Sequence, residues 1–375
     1  MLKKNRNIIL STVGTSLLTN KTSVKEEREL LSKYSNCKEN ECPNELINLV
    51  DRLYPIALED LKSFDNHTLR RVSAELNGIL GFYEEDFLDR AQDLHFLICT
   101  DTYQGIKTAE ILKSFLNQKN IPVEIFESHN LSTKNKDAFS EGIKSLLKWC
   151  DDNIYNFKLS GYKIIFNLTG GFKSLQGYLN TIAMFYADSI IYIFESEQAE
   201  LIQIPRLPIQ IDPKPFVDHR DKFLLLNANQ LFSANDFNNV PESIFDEIDG
   251  SVVFSLWGEM IWNKLKYDLF DTLPQLPFIK YHSNFIKKYK EEVDKSLKMK
   301  LIETIAKASV LLSSNNGNKE CLSKGGIQYS PLTSKQFEGN QVYHFRTSLS
   351  IRVNCIEKDK HLLLTEFGTH DQTQS

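Results

Sequence analysis

An alternation of short apolar runs with helical patterns, over the first 210 residues, restricts what this chain can fold into more than any other feature. Six β-branched or aromatic runs lie at 7–13, 95–100, 123–128, 163–169, 189–195 and 200–205, with helical patterns at 105–118, 138–154 and 173–187 between most of them. Such alternation predicts a mostly parallel sheet with helices on both faces. The runs are almost continuously apolar, as strands covered on both sides must be. Residues 22–92 read as a long helical excursion between the first and second strands. The fold class expected for this part is α/β, a Rossmann-like parallel sheet.

Beyond it the pattern changes twice. The Pro-rich stretch 204–215 closes a first domain, 1–210. Residues 211–275 read as a helical middle region, acidic at FDEIDG (245–250) and apolar at helical spacing over 251–270. LPQLP (273–277) marks a second boundary. In 276–375, FIKYHSNFIKKYKEE reads as a short strand and a helix, and 294–312 as a second amphipathic helix. GIQYS, QVYHFRT, SIRVNCIE and KHLLLTEF follow as antiparallel strands, the last two joined by the turn EKDK (357–360). This predicts a C-terminal α+β domain with an antiparallel sheet.

At 41% hydrophobic and 25% charged residues the chain has an ordinary globular composition. Its net charge of −5 conceals an asymmetry. Residues 276–375 hold 15 Lys+Arg against 10 Asp+Glu, whereas residues 1–275 hold 29 against 39. A mildly basic tail on an acidic body suits a phosphate-rich partner for the tail alone. The first apolar run is too short for a signal or membrane segment, so a cytoplasmic protein with no membrane partner is expected. The six cysteines form no disulfide framework by spacing; Cys37 and Cys42 are close but lack the second Cys/His pair of a zinc site.

Three polar loops follow predicted strands. Gly14, Thr15 and Ser16 come after the first. Asp101 and Thr102 come after the second. Thr169, Gly170, Gly171, Phe172 and Lys173 come after the fourth and open a helix. Ligands of open α/β sheets bind at the carboxyl ends of the strands. Glycines there let backbone N–H groups approach an anion, and a helix N-terminus favours one. Lys173 in a first helical turn sits where the dipole disfavours a cation, which points to an anion facing it. Neither glycine loop has the spacing of a P-loop or of a dinucleotide fingerprint. ATP hydrolysis of the P-loop kind and a bound dinucleotide cofactor are therefore not expected, and no cofactor is.

The tail carries a second constellation. His344 and Arg346 share a strand face, Arg352 lies on the next strand, and His370 follows the last one. Cleavage of RNA by its own 2′-hydroxyl needs a base, positive charge on the pentavalent phosphate, and an acid for the 5′-oxygen. Arginine's planar fork suits phosphate oxygens, and histidine exchanges protons near neutral pH. No carboxylate cluster suggests a metal, and this chemistry requires none.

STVGTSLLTN (11–20) together with NLTGGFKS (167–174) resembles the CARF domains of type III CRISPR defence, over roughly residues 1–210. The resemblance implies a sensor of cyclic oligoadenylates, with cyclic tetraadenylate the expected ring, held across the two-fold axis of a homodimer. It also implies a second activity in some members, slow cutting of the ring by in-line attack of a ribose 2′-hydroxyl, for which Thr15, Ser16 and Lys173 would be the candidates. The helix-pair start FIKYHSNFIKKY, then YHFRTS and SIRVN, then LLTEFGTHDQ resemble the RelE-type toxin ribonucleases, over about residues 277–375. That implies cutting of messenger RNA on the ribosome, leaving a 2′,3′-cyclic phosphate. Arg346 and Arg352 would stabilise the phosphate, His370 would be the acid or base with Asp371 orienting it, and Lys324, Lys335 and His344 would contact RNA. The ending DQTQS departs from the pattern of many relatives, which carry a tyrosine near this point. The rivals are a ring-degrading enzyme and a ligand-responsive regulator whose tail only binds nucleic acid or protein.

Overall fold

The computed structural model describes residues 6–128, 131, 136–171, 173–193 and 200–374. It divides into two compact units, residues 1–210 and 211–375.

The first unit is built on a six-stranded sheet: β1 (Arg6–Thr12), β2 (Leu94–Thr100), β3 (Val123–Ser128), β4 (Tyr162–Asn167), β5 (Ser189–Ile193) and β6 (Leu201–Pro205). The order across the sheet is β3-β2-β1-β4-β5-β6. Every pairing is parallel except β5 with β6. The chain thus steps outward from β1 to β3 and then restarts beside β1 with β4, so the direction of winding reverses between β1 and β4. Ile8, Ile9 and Leu10 of β1 are at most 1% exposed, as a central strand covered on both faces requires.

The helices of this unit are α1 (Ser16–Thr19), α2 (Lys25–Lys33), α3 (Asn44–Ser63), α4 (Asn66–Val72), α5 (Ala74–Phe82), α6 (Tyr103–Gln118), α7 (Lys136–Leu159) and α8 (Lys173–Tyr186). α2 to α5 fill the excursion between β1 and β2. Leu49, Leu53, Leu76 and Leu80 from it join Ile9, Leu97 and Ile165 of the sheet in one apolar cluster. Ser73 ends α4 and begins α5, its hydroxyl accepting the Leu76 N–H at 3.2 Å. That cap delivers Glu75 in the first turn of α5.

The second unit contains α9 (Lys214–Asp218), α10 (Arg220–Asn227), β7 (Phe245–Ile248), β8 (Ser251–Phe254), α11 (Leu256–Leu269), β9 (Ile279–Tyr281), α12 (Ser283–Glu291), α13 (Lys295–Ser314) and α14 (Glu320–Lys324). It continues with β10 (Ser330–Phe337), β11 (Asn340–Arg346), β12 (Ile351–Lys358), β13 (His361–Thr369) and α15 (His370–Gln374). Its main sheet runs β10-β11-β12-β13-β9, antiparallel but for the short β9 beside β13. The protein is therefore mixed α/β, with a parallel-dominant sheet in one unit and a separate antiparallel-rich sheet in the other.

Three expectations change here. Residues 211–275 are not a separate helical region: Phe216, Phe223 and Trp262 share one buried cluster with Ile305, Phe345 and Phe367. Within them Asp249 and Gly250 both take positive φ, +50° and +77°, making the two-residue turn of a β7–β8 hairpin where a helix was expected from 251. The strand expected over 326–330 begins only at the last of those residues, Ser330, and runs on to Phe337 as β10; Pro331 near its start is tolerated because β10 is an edge strand.

Candidate functional site

In an open α/β sheet the crevice for a ligand opens where the winding reverses, at the carboxyl ends of the strands. In the first unit that point lies between β1 and β4. The loop after β1 carries Gly14, and the loop after β4 carries Thr169, Gly170 and Gly171, so two of the three predicted loops meet there. A Cβ placed on Gly14 would lie 3.4 Å from the Gly171 nitrogen.

The loop after β4 is strapped down by its carbonyls. Thr12 Oγ1 donates to the Gly170 carbonyl at 2.5 Å, and Gln176 Nε2 donates to the Leu168 carbonyl at 3.1 Å. Asn167, fully buried, donates to Ser11 Oγ and to the Glu75 carbonyl, and accepts the Thr169 N–H at 3.3 Å. The Gly170 and Gly171 amides donate to no acceptor among the described residues. The Thr169 hydroxyl is buried without a partner. A turn with its carbonyls tied inward and amides unspent is chemically an anion holder.

Gly171 has φ +94°, and a Cβ there would come within 2.8 Å of Thr12 Cβ. Gly171→Ala is expected to destabilise the unit by about 1–3 kcal/mol, from forced left-handed backbone and the clash with β1. Denaturant unfolding checks it.

The crevice floor is Glu75, a residue that no sequence motif marks. Its side chain is 1% exposed, accepting the Gly14 N–H at 2.8 Å and the Ser73 hydroxyl at 2.8 Å. A Cβ on Gly170 would fall 2.4 Å from its carboxylate. The Gly14 amide is thus spent on Glu75. Burial pushes the Glu75 carboxyl above its ordinary value, and the Gly14 N–H works against that rise.

The other candidates fall at the same sheet edge with different duties. Thr102 is 1% exposed and caps α6, its hydroxyl accepting the Gly105 N–H and bonding Thr100 Oγ1 at 2.8 Å. Asp101 pairs with Lys38 at 2.7 Å, and that hydrogen bond raises the lysine's pKa. Lys38 is presented by a tight turn that a Cys37–Cys42 disulfide closes, a local bridge where no disulfide was expected. Ser16 is exposed at the start of α1, and the Thr15 side chain makes no capping bond. Phe172 and the Lys173 side chain lie outside the described residues.

In the second unit the residues of the polar face line up in cross-strand rows. Arg346 of β11 stands opposite Arg352 of β12, which stands opposite Gly368 of β13. His344, Asn354 and Glu366 form the adjacent row. Arg352 is 8% exposed, its Nε buried without a partner. Burial, then the positive charge of Arg346, lowers its pKa. Neither arginine makes an ion pair or side-chain hydrogen bond among the described residues.

Lys335, expected to face RNA, is already neutralised. Its Nζ lies 2.7 Å from Glu366 and 3.2 Å from the Thr373 carbonyl. Asn354 donates to the same two groups, so α15 is drawn back over β12. Lys324 is exposed at the end of α14, which packs on α13. His344 Nε2 is 3.5 Å from Ser330 Oγ. His370 opens α15 two residues past the Arg352–Gly368 pair, followed by Asp371; the His370 side chain lies outside the described residues.

The first unit is thus an α/β fold with an anion-suited crevice at its winding reversal, and the second an antiparallel sheet with an unpaired arginine row. Residues 70–207 match the model of a family described as CRISPR-associated protein (Cas_APE2256). The match runs from the end of α4 through β6, less than half of the chain, and includes Glu75 and the loops after β2 and β4. It supports an association of this protein with CRISPR systems. Among the described residues no helix is long and apolar enough to cross a membrane.

Proposed function

We propose that the first unit is a CARF-type sensor for a cyclic oligoadenylate and the second a RelE-type endoribonuclease that the ring switches on. The likeness to a CRISPR-associated family and the amide-lined crevice at the winding reversal support the sensor. The observation that carries the nuclease is the Arg346–Arg352 pair, two cations on neighbouring strands with no carboxylate partner among the described residues and one of them buried.

In the proposed reaction the 2′-hydroxyl of a nucleotide attacks its own 3′-phosphorus while a base takes its proton. The bond from phosphorus to the departing 5′-oxygen breaks, and an acid protonates that oxygen. The products are a 2′,3′-cyclic phosphate and a 5′-hydroxyl. Arg346 and Arg352 hold the extra negative charge of the pentavalent phosphate, and His370 exchanges a proton. The ring binds across a homodimer, as a ligand of two-fold symmetry suits, and the messenger RNA is cut on the ribosome during antiviral defence.

The test is a translation reaction with primer-extension mapping, run with and without each cyclic oligoadenylate. New 5′ ends that depend on the ring are the expected result. Ring linearised with translation untouched would make the chain a ring nuclease. Ring bound and RNA shifted but uncut would make it a regulator.

A further inference from the structure

The arginine row does not stop at β12. Its third position is Gly368, which has no side chain, and α12 fills that place. β9 pairs with β13 only over Leu362–Leu364. After His282 donates its N–H to the Leu364 carbonyl, the chain turns into α12 and runs beside the rest of β13. Phe285 of α12 packs on Phe367 with ring centroids 5.0 Å apart. Lys288, three residues on, lies on the same flank of the helix. Its Nζ sits 5.4 Å over the Phe367 ring. It also lies 3.0 Å from where a Gly368 Cβ would be, with Gln372 Oε1 at 2.7 Å from that point. A side chain at 368 would evict the lysine.

We propose that Lys288 is the third cation of one anion cradle, with Arg346 and Arg352, and that the cradle holds the phosphodiester backbone of RNA. This rests on the reading of the arginines as phosphate-binding. Neighbouring strands lie about 4.8 Å apart, so the three charges occupy successive positions across the sheet edge. The Lys288 ammonium makes no ion pair or hydrogen bond among the described residues, although the adjacent Lys287 reaches Glu291 at 4.0 Å. The nearest carboxylate row is no help, since Glu366 is engaged by Lys335 and Asn354. Among the described residues the three cations have no counter-ion, Arg346 and Arg352 repel each other, and an anion relieves that repulsion. A row rather than a point of charge fits an extended polyanion. Lys288 enters on a helix, so it can reach the row without lying on the arginine strands.

The experiment measures binding of the full chain to an uncleavable 2′-deoxy oligonucleotide over a series of salt concentrations, with and without cyclic tetraadenylate. Every phosphate that the protein no longer neutralises lowers the slope of log K against log salt by about 0.7 for a single strand. Lys288→Gln is expected to lower the slope by that amount, and Lys288→Arg to restore it. An unchanged slope in Lys288→Gln, with the slope lowered by Arg352→Gln, would overturn the role of Lys288 and leave the arginine reading standing. Slopes unchanged in both would remove the cradle altogether. Because the oligonucleotide cannot be cleaved, a defect confined to proton transfer leaves every slope at the wild-type value.

Discussion

Arg352→Met is expected to lower ring-dependent RNA cleavage by about 10²–10³-fold, the usual cost of removing one preorganised donor to transition-state charge. The same change is expected to raise stability. Arg352 is a nearly enclosed cation beside Arg346, its Nε lacking a partner. A methionine of similar length removes that desolvated charge and the repulsion together. A gain of about 1 kcal/mol would lift the melting temperature by about 2–4 °C for a unit of this size. Loss of activity with gain of stability separates a functional residue from a structural one. Cleavage at the wild-type rate would remove Arg352 from the reaction; a fall in melting temperature would show that the guanidinium is needed for packing.

The second large effect belongs to Glu75. Glu75→Ala takes the acceptor from the Gly14 N–H and leaves a cavity against Gly170, a loss of about 2–4 kcal/mol. Glu75→Gln keeps the shape and changes only the titration. Burial raises the carboxyl in the folded chain, so the native state holds this proton more tightly than the unfolded state does. Its contribution to stability is complete below the ordinary glutamate value of about 4.3. It is lost as pH rises through the native value. The stability of Glu75→Gln relative to wild type is therefore expected to increase as pH rises above the ordinary glutamate value of about 4.3. Unfolding of the full chain at a series of pH values measures it. A difference that stays flat would mean that Glu75 is not buried as described. Ring binding to the wild type is expected to weaken as pH rises, as charge develops beneath an anion, and to lose that dependence in the glutamine variant.

Glu75 also shows where sequence reasoning stops. The strands of the parallel sheet were legible because each is a β-branched or apolar run with a polar loop after it, and strand ends locate a ligand edge. Which loops meet was not legible, since it depends on strand order: β4 returns beside β1 and brings Gly171 against Gly14. Glu75 stands in a helix far from either loop in sequence, and nothing local marks it as the floor of the crevice. Thr102 was visible as a loop hydroxyl, but its cap on α6 emerges only with the helix in place. In the second unit alternation put His344 and Arg346 on one face, and the register of β11 with β12 sets Arg352 opposite Arg346. Lys288 was not legible, because its place beside Gly368 depends on a helix replacing a strand at the sheet edge. The β7–β8 hairpin had a local signal: Asp249-Gly250 is a strong two-residue turn, hidden by an apolar stretch that also has helical spacing.

The core that runs from Phe216 to Phe367 decides what proteolysis could do to this protein. α13 packs against α10 and α11, and the fully enclosed Trp262 and Phe223 lie upstream of the Pro-rich boundary at 273–277. A fragment starting at 276 would shed those aromatics and bare the flank of α13 to water, at about 3–5 kcal/mol for each large side chain missing from a core. Severing the chain there would unfold the tail rather than release it as a stable piece; a C-terminal fragment that keeps its core has to begin near residue 211.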